Sequence, residues 1–133
     1  MSLLNWFKRS SPSSPQLNAL VNRVVVYLRS RPGGDQVVPK IVGKAIGETE
    51  IRALTALRVL EEQGIVHHHF GLYCTEKGIP LESIDDLSQL PAEKYCDACD
   101  EDHSEAEGEY KVEIYYTIDP RRLAQFRERK VAA

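Results

Sequence analysis

An α+β fold is predicted, with a helical first half followed by a metal-stabilised, strand-containing extension. Three observations carry this. Apolar residues recur at helical spacing between residues 15 and 63, residues 110–118 alternate strictly, and a Cys-x-x-Cys pair lies between these regions. A chain of 133 residues suffices for one ordinary domain plus an appendage. Its 42% hydrophobic and 28% charged content is that of a globular protein. No apolar run approaches the roughly 18–20 residues of a membrane span, and the N-terminus lacks the long apolar core of a secretory signal. Three cysteines cannot pair without a remainder, so a reducing, cytoplasmic setting is expected.

The first fourteen residues read as an amphipathic segment and linker. Leu3, Leu4, Trp6 and Phe7 stand beside Lys8 and Arg9, either as a docking peptide or as a terminus folded over its own domain, and SSPSSP follows. Ser14 and Pro15 suit the N-cap and first turn of a helix running to Arg31, with Leu17, Leu20, Val21, Val24 and Leu28 on one face. The run Val24–Val26 favours a strand locally, but length and spacing favour the helix. Pro32-Gly33-Gly34 ends it, and Val37–Val38 form a short extended piece before Pro39. A second helix is expected over Pro39–Ile46 with Ile41, Val42, Ala45 and Ile46 inward, and Gly47 turns the chain. Thr49 caps a third helix to Gln63 whose buried stripe is Ile51, Leu54, Leu57 and Leu60. After Gly64, Ile65–Phe70 and Leu72–Thr75 read as two short strands around Gly71.

With helix, short strand, helix, turn, helix and hairpin in this order, residues 15–75 resemble the winged helix-turn-helix superfamily in its bacterial MarR-like and ArsR-like style. The residues carrying the likeness are Thr55-Ala56-Leu57-Arg58-Val59-Leu60-Glu61-Glu62-Gln63-Gly64-Ile65-Val66. The resemblance implies a third helix that enters a DNA major groove, or else a module for protein docking or homodimerisation. Thr49, Arg52, Thr55 and Arg58 share a flank of that helix, and Lys40 and Lys44 on the preceding one could reach phosphates. Glu48, Glu50, Glu61 and Glu62 oppose them: the third helix carries more acid than base, and Glu48 and Glu50 sit at its leading end. Those two acids also suit the positive end of a helix dipole.

The charge is distributed in blocks. Residues 1–73 hold nine basic side chains against five acidic, residues 76–119 three against fourteen, and residues 120–133 five against one. The net charge of -3 thus averages a basic body, an acidic insert and a basic tail.

The acidic insert carries the strongest chemical signal, Tyr95-Cys96-Asp97-Ala98-Cys99-Asp100-Glu101-Asp102-His103. Two cysteines separated by two residues place two thiolates on one tetrahedral metal, and His103 follows at a ligand's spacing. Cys74 stands in a similar Tyr-Cys context upstream. A set of Cys74, Cys96, Cys99 and His103 uses every cysteine and completes a four-coordinate structural zinc. The pattern looks like a degenerate zinc ribbon whose first knuckle keeps only Cys74, since position 77 is lysine. His67 or His69 from the His67-His68-His69 run are alternatives to His103. A redox dithiol is disfavoured by the surrounding acids and by the lack of a βαβ pattern. A hard-ion site on Asp97, Asp100, Asp102 and Glu105 lacks the spacing of a calcium loop.

Residues 76–133 therefore form an acidic zinc-binding extension. In its strand, Tyr110, Val112, Ile114, Tyr116 and Ile118 face one way and Lys111, Glu113, Tyr115 and Thr117 the other. Tyr115 either stacks on a partner or is half-buried. Asp119-Pro120 starts a terminal helix, Arg121–Lys130, contacting the core through Leu123 and Phe126. Its Arg121, Arg122, Arg127, Arg129 and Lys130 face nucleic acid, an acidic partner or the insert itself. No Gly-rich phosphate loop or nucleophile–base pair is present, so a non-enzymatic protein is expected. The leading expectation is a zinc-stabilised winged-helix regulator or accessory factor binding double-stranded DNA; the alternative is an adaptor that docks a protein partner.

Overall fold

The computed structural model describes residues 14–31 and 36–131. The Leu3–Phe7 segment and Pro32-Gly33-Gly34 lie outside the described residues. The element order is α1 (Pro15–Ser30), α2 (Pro39–Ile46), α3 (Glu50–Glu62), β1 (Val66–Cys74), β2 (Pro80–Ile84), a 3-10 turn (Leu87–Gln89), β3 (Glu93–Cys96), β4 (Glu101–Ser104), β5 (Tyr110–Ile118) and α4 (Pro120–Gln125). The fold is mixed α and β, as the patterning predicted. Among the described residues no helix is long and apolar enough to cross a membrane.

The chain divides into two compact units. One comprises the residues up to His67 together with those from Thr117 onward, and the other His68–Tyr116. The borders fall inside β1 and β5, long strands that contribute residues to both.

In the helical unit the caps follow the sequence closely. The Ser14 hydroxyl accepts from the Leu17 amide and Pro15 occupies the first turn of α1. Thr49 accepts from the Arg52 amide at the start of α3, and Asp119 from the Arg122 amide at the start of α4. Gly47, at φ 73°, ends α2 in the left-handed region that glycine enters without a Cβ penalty. Leu20, Val21, Val24, Val25 and Leu28 of α1 pack with Val42, Ala53, Ala56, Leu57, Val59 and Leu60 of the next two helices. Burying each of the larger side chains contributes about 1.5–3 kcal/mol.

Four expected details are corrected. The inward face of α2 is Pro39, Val42 and Gly43 rather than Ile41, Ala45 and Ile46; Ile41 is 55% exposed. Gly43 decides this, because a Cβ there would meet the Glu48 carbonyl oxygen at 2.9 Å, so only a glycine face can press against the turn into α3. The buried stripe of α3 is Ala53, Ala56, Leu57, Val59 and Leu60, leaving Ile51 76% exposed. Two alanines let the neighbouring helices approach closely, and that outweighs the larger surface of Ile51. Gly71 does not interrupt the strand: β1 runs continuously through it, with the ring of Tyr73 lying over its Cα. The terminal helix stops at Gln125 instead of Lys130. Asn22 there replaces a helical partner, its amide donating to the Arg129 carbonyl and accepting from the Arg129 amide, both at 2.8 Å. Asn18 donates to the Lys130 carbonyl at 3.2 Å, and Arg29 donates to the Leu123 and Phe126 carbonyls. Residues 126–131 are therefore held outside the helix, with no regular secondary structure, Phe126 being extended.

In the β unit, β1 pairs antiparallel with β2 and lies between β2 and β5. Leu72, Ile84 and Tyr110 form its apolar cluster, flanked by Phe70, Leu81 and Leu90. β3 and β4 form a separate antiparallel hairpin. β5 spans Tyr110–Ile118 as the alternation required, with Tyr110 and Tyr116 buried, although Val112 on the same face is exposed.

Candidate metal centre

Cys74 closes β1 and Cys96 closes β3, and each begins a tight turn of the same design. The Gly78 amide donates to the Cys74 carbonyl at 2.7 Å, and the Asp100 amide donates to the Cys96 carbonyl at 2.8 Å. Gly78 (φ 67°) and Asp100 (φ 54°) both take the left-handed conformation that reverses the chain. The turns share this hydrogen-bond pattern at the same offsets, with Lys77 standing in the first where Cys99 stands in the second. The β3–β4 register pairs Cys96 with Glu101 and Lys94 with His103, so Cys96 and His103 share one face of the hairpin. The imidazole of His103 thereby joins the sulfurs of the two turns.

The four ligand atoms of Cys74, Cys96, Cys99 and His103 lie within 4.8 Å of one another, a constellation suited to a metal ion. Cys74 Sγ is 3.7 Å from Cys99 Sγ and 3.4 Å from His103 Nε2. Tetrahedral bonds of about 2.3 Å to sulfur and about 2.0 Å to nitrogen imply ligand separations of roughly 3.5–3.8 Å. The spacing therefore fits one shared ion. All three cysteines are free thiols, and the cysteine cluster is buried except for the half-buried Cys99.

The electrostatics point the same way. The Lys77 amide donates to Cys74 Sγ at 3.4 Å, and this is the largest of the effects drawing the Cys74 thiol down to about 7. Burial, then the neighbouring Cys74 and Cys96 sulfurs, pushes Cys99 up to about 12. Sulfurs this close cannot all carry charge unless a cation stands between them. Lys77 also ties the two turns, its Nζ donating to the Ala98 carbonyl at 2.7 Å.

His103 is 2% exposed, with Nε2 toward Cys74, and its Nδ1 is buried without a hydrogen-bond partner. The carboxylate oxygens nearest to it among the described residues are Glu109 Oε2 at 3.8 Å and Glu101 Oε1 at 4.0 Å. Glu109 is well anchored: its Oε1 accepts from the Ser104 amide at 2.9 Å, and its carbonyl accepts from the Thr75 amide beside Cys74 at 3.1 Å. Sequence inspection passes over Glu109 because it stands six residues from His103 within an acidic run. Gly108, at φ 69°, folds the chain back to bring them together, and that glycine is the available signal.

The histidine run does not join this cluster. His69 Nδ1 meets Asp85 Oδ1 at 2.7 Å and its ring stacks on Tyr115, whose hydroxyl meets Ser83 at 2.7 Å. His67 is exposed and His68 lies edge-on to Phe70. Of the carboxylates weighed for a hard ion, Asp97, Asp100, Asp102 and Glu105 are all exposed, and Asp100 accepts from the Tyr95 hydroxyl.

The residues considered for nucleic-acid contact are dispersed and partly engaged. Lys40 and Lys44 are exposed on α2, and Arg58 is exposed on α3. Arg52 is tied to Glu48 at 2.8 Å, and Glu48 also meets Arg23 at 2.9 Å. The Arg23 guanidinium, with Arg52 adding to it, holds the Glu48 carboxyl below its usual range. Glu48 is thus the hub of an ion-pair network rather than a dipole complement alone. Thr49 is used as a cap, and the Thr55 hydroxyl donates to the Ile51 carbonyl at 2.9 Å.

Comparison with family models, curated proteins and solved structures found no match.

Proposed function

We propose that this chain is a non-enzymatic binding protein whose β unit is held by one structural zinc on Cys74, Cys96, Cys99 and His103. The observation that carries the reading is the convergence of these four candidate ligand atoms within 4.8 Å of one another. Three thiolates and an imidazole suit zinc, and a closed set of four leaves no open position for a substrate or an activated water. Elemental analysis of the purified protein should find close to one zinc per chain. A metal-free protein with fully protected β-unit amides would remove the proposal.

The working surface of the helical unit is read as a protein-docking face, in a winged-helix module used as an adaptor. Ile41 and Ile51 stand exposed on α2 and α3, Glu48 compensates Arg52, and the hydroxyls of Thr49 and Thr55 are bonded locally. Such a face favours apolar contact over phosphate contact. The second reading, a DNA-binding regulator, draws on the exposed Lys40, Lys44 and Arg58. Fluorescence anisotropy with mixed duplex DNA at low salt separates the two. Tight, salt-sensitive binding weakened by Lys44→Ala would establish the second reading, and no binding would leave the adaptor.

A further inference from the structure

A cavity of about 320 Å³ in the helical unit is lined by Arg122, Arg127 and Arg129 with Gln63 and Gln125, and by no acidic residue among those described. Three arginines thus line one space, Arg122 paired with Asp119 at 3.9 Å and Arg129 bonded to Asn18 at 3.1 Å. This arrangement follows from the non-helical tail. Successive residues of the tail line different spaces: Arg127 and Arg129 border this cavity, while Glu128 between them lines a different groove with Val26 and Tyr27. Asn18 and Asn22 fix that register by bonding the backbone of Arg129 and Lys130, and the Arg129 guanidinium donates to Asn18 Oδ1 at 3.1 Å. Arg122 is aimed by its bond to the Gln63 carbonyl at 3.1 Å, and its nearest carboxylate, Asp119, lies 3.9 Å from Nε. Arg127 is exposed and makes no hydrogen bond or ion pair with any described residue.

We propose that this arginine cleft binds a phosphoryl group. Guanidinium forks match the oxygens of a phosphate in pairs, and several of them suit a dianion better than the single charge of a carboxylate. The side chains of Ile65 and Phe126 give the cavity an apolar wall, against which a nucleobase or sugar attached to that phosphate packs. Two sources share this chemistry, a free nucleotide and a nucleic-acid backbone phosphate. The inference stands apart from the zinc and from the α2–α3 face, because no residue of the cleft belongs to either.

The full-length protein is titrated by calorimetry at low salt with inorganic pyrophosphate, with adenosine monophosphate and with a short DNA duplex. Arg127→Glu and Arg127→Lys are run alongside, since Arg122 and Arg129 also hold the tail and their loss would confound folding with binding. Arg127→Glu should weaken pyrophosphate binding roughly tenfold or more, and Arg127→Lys by less, with unchanged melting temperatures. Monophosphate binding that the duplex does not displace assigns the cleft to a free nucleotide; displacement by the duplex assigns it to a backbone phosphate. Absence of binding by all three probes, or equal affinity in Arg127→Glu, overturns the site.

Discussion

In the helical unit Leu28, Leu57 and Leu60 are fully buried among the valines of α1 and the alanines of α3, whereas the described residues of the β unit bury the larger side chains Leu72, Ile84, Tyr110 and Tyr116. The β3–β4 hairpin has still less apolar support: its buried residues are Cys96 and His103. The helices are held by carbon packed against carbon. The hairpin is a short, acidic, two-stranded ribbon of a kind that is marginal alone in water. On the zinc reading, the energy missing from its core comes from ligand bonds. One chain thus meets the cost of ordering its backbone in two ways, and the cysteines lie where apolar side chains are scarce.

The strongest way to break this comparison is to remove the metal. Cys96→Ser, or a strong chelator, should unfold the β3–β4 hairpin, since structural zinc contributes on the order of 10–16 kcal/mol of apparent binding energy. Hydrogen exchange should show the amides of β3 and β4 losing protection while those of α1 and α3 keep theirs. Equal loss in both regions would mean that the two are one cooperative unit. The converse experiment is smaller. Leu57→Ala in the helical core should cost about 2–5 kcal/mol in thermal or denaturant unfolding, with zinc affinity unchanged.

A finer test concerns Glu109. When His103 Nε2 binds the ion, Nδ1 carries the proton and needs an acceptor, and Glu109 Oε2 is the nearest carboxylate oxygen among the described residues, at 3.8 Å. Glu109→Gln should weaken zinc binding about 10–100-fold in chelator competition. Glu101→Gln, at a longer distance and a more exposed position, should cost less.

The smallest effect is a count of protons. Below about 7 the Cys74 thiol is protonated and must release its proton to the solvent on binding zinc; above it, Cys74 is already a thiolate. Cys99, raised to about 12, releases one at every ordinary pH. Protons released per zinc should therefore fall as pH rises through about 7, measured by calorimetry in buffers of different ionisation enthalpy. The sign carries to the metal-free fold. A lowered Cys74 adds stability at pH above its unfolded value of about 9, and this is lost as pH falls through about 7. A raised Cys99 does the opposite, adding stability below about 9 that is lost as pH rises toward 12.

Much of this was legible residue by residue. Ser14, Thr49 and Asp119 announced their caps, Pro15 and Pro120 the first turns, and the alternation from Tyr110 to Ile118 its strand, because each depends on near neighbours in the chain. The grouping of Cys74, Cys96, Cys99 and His103 was legible for a different reason. Few residue types bind a soft cation, and the spacing of Cys96, Cys99 and His103 restricts the geometry. The helix faces were less so. Ile41 and Ile51 fit the apolar periodicity as well as their neighbours do, and what excludes them is the close approach allowed by Gly43, Ala53 and Ala56.

By itself, then, the sequence determined the local elements, the cysteine–histidine set and the division of charge, all properties of residue type and short spacing. Only the tertiary structure decided which faces are buried and that Glu109 stands behind His103. It alone also ended the last helix at Gln125, where two asparagines and an arginine from α1 bond a backbone that would otherwise have continued to coil. These are choices between partners distant in sequence, and such choices are made by packing and hydrogen-bond satisfaction rather than by propensity.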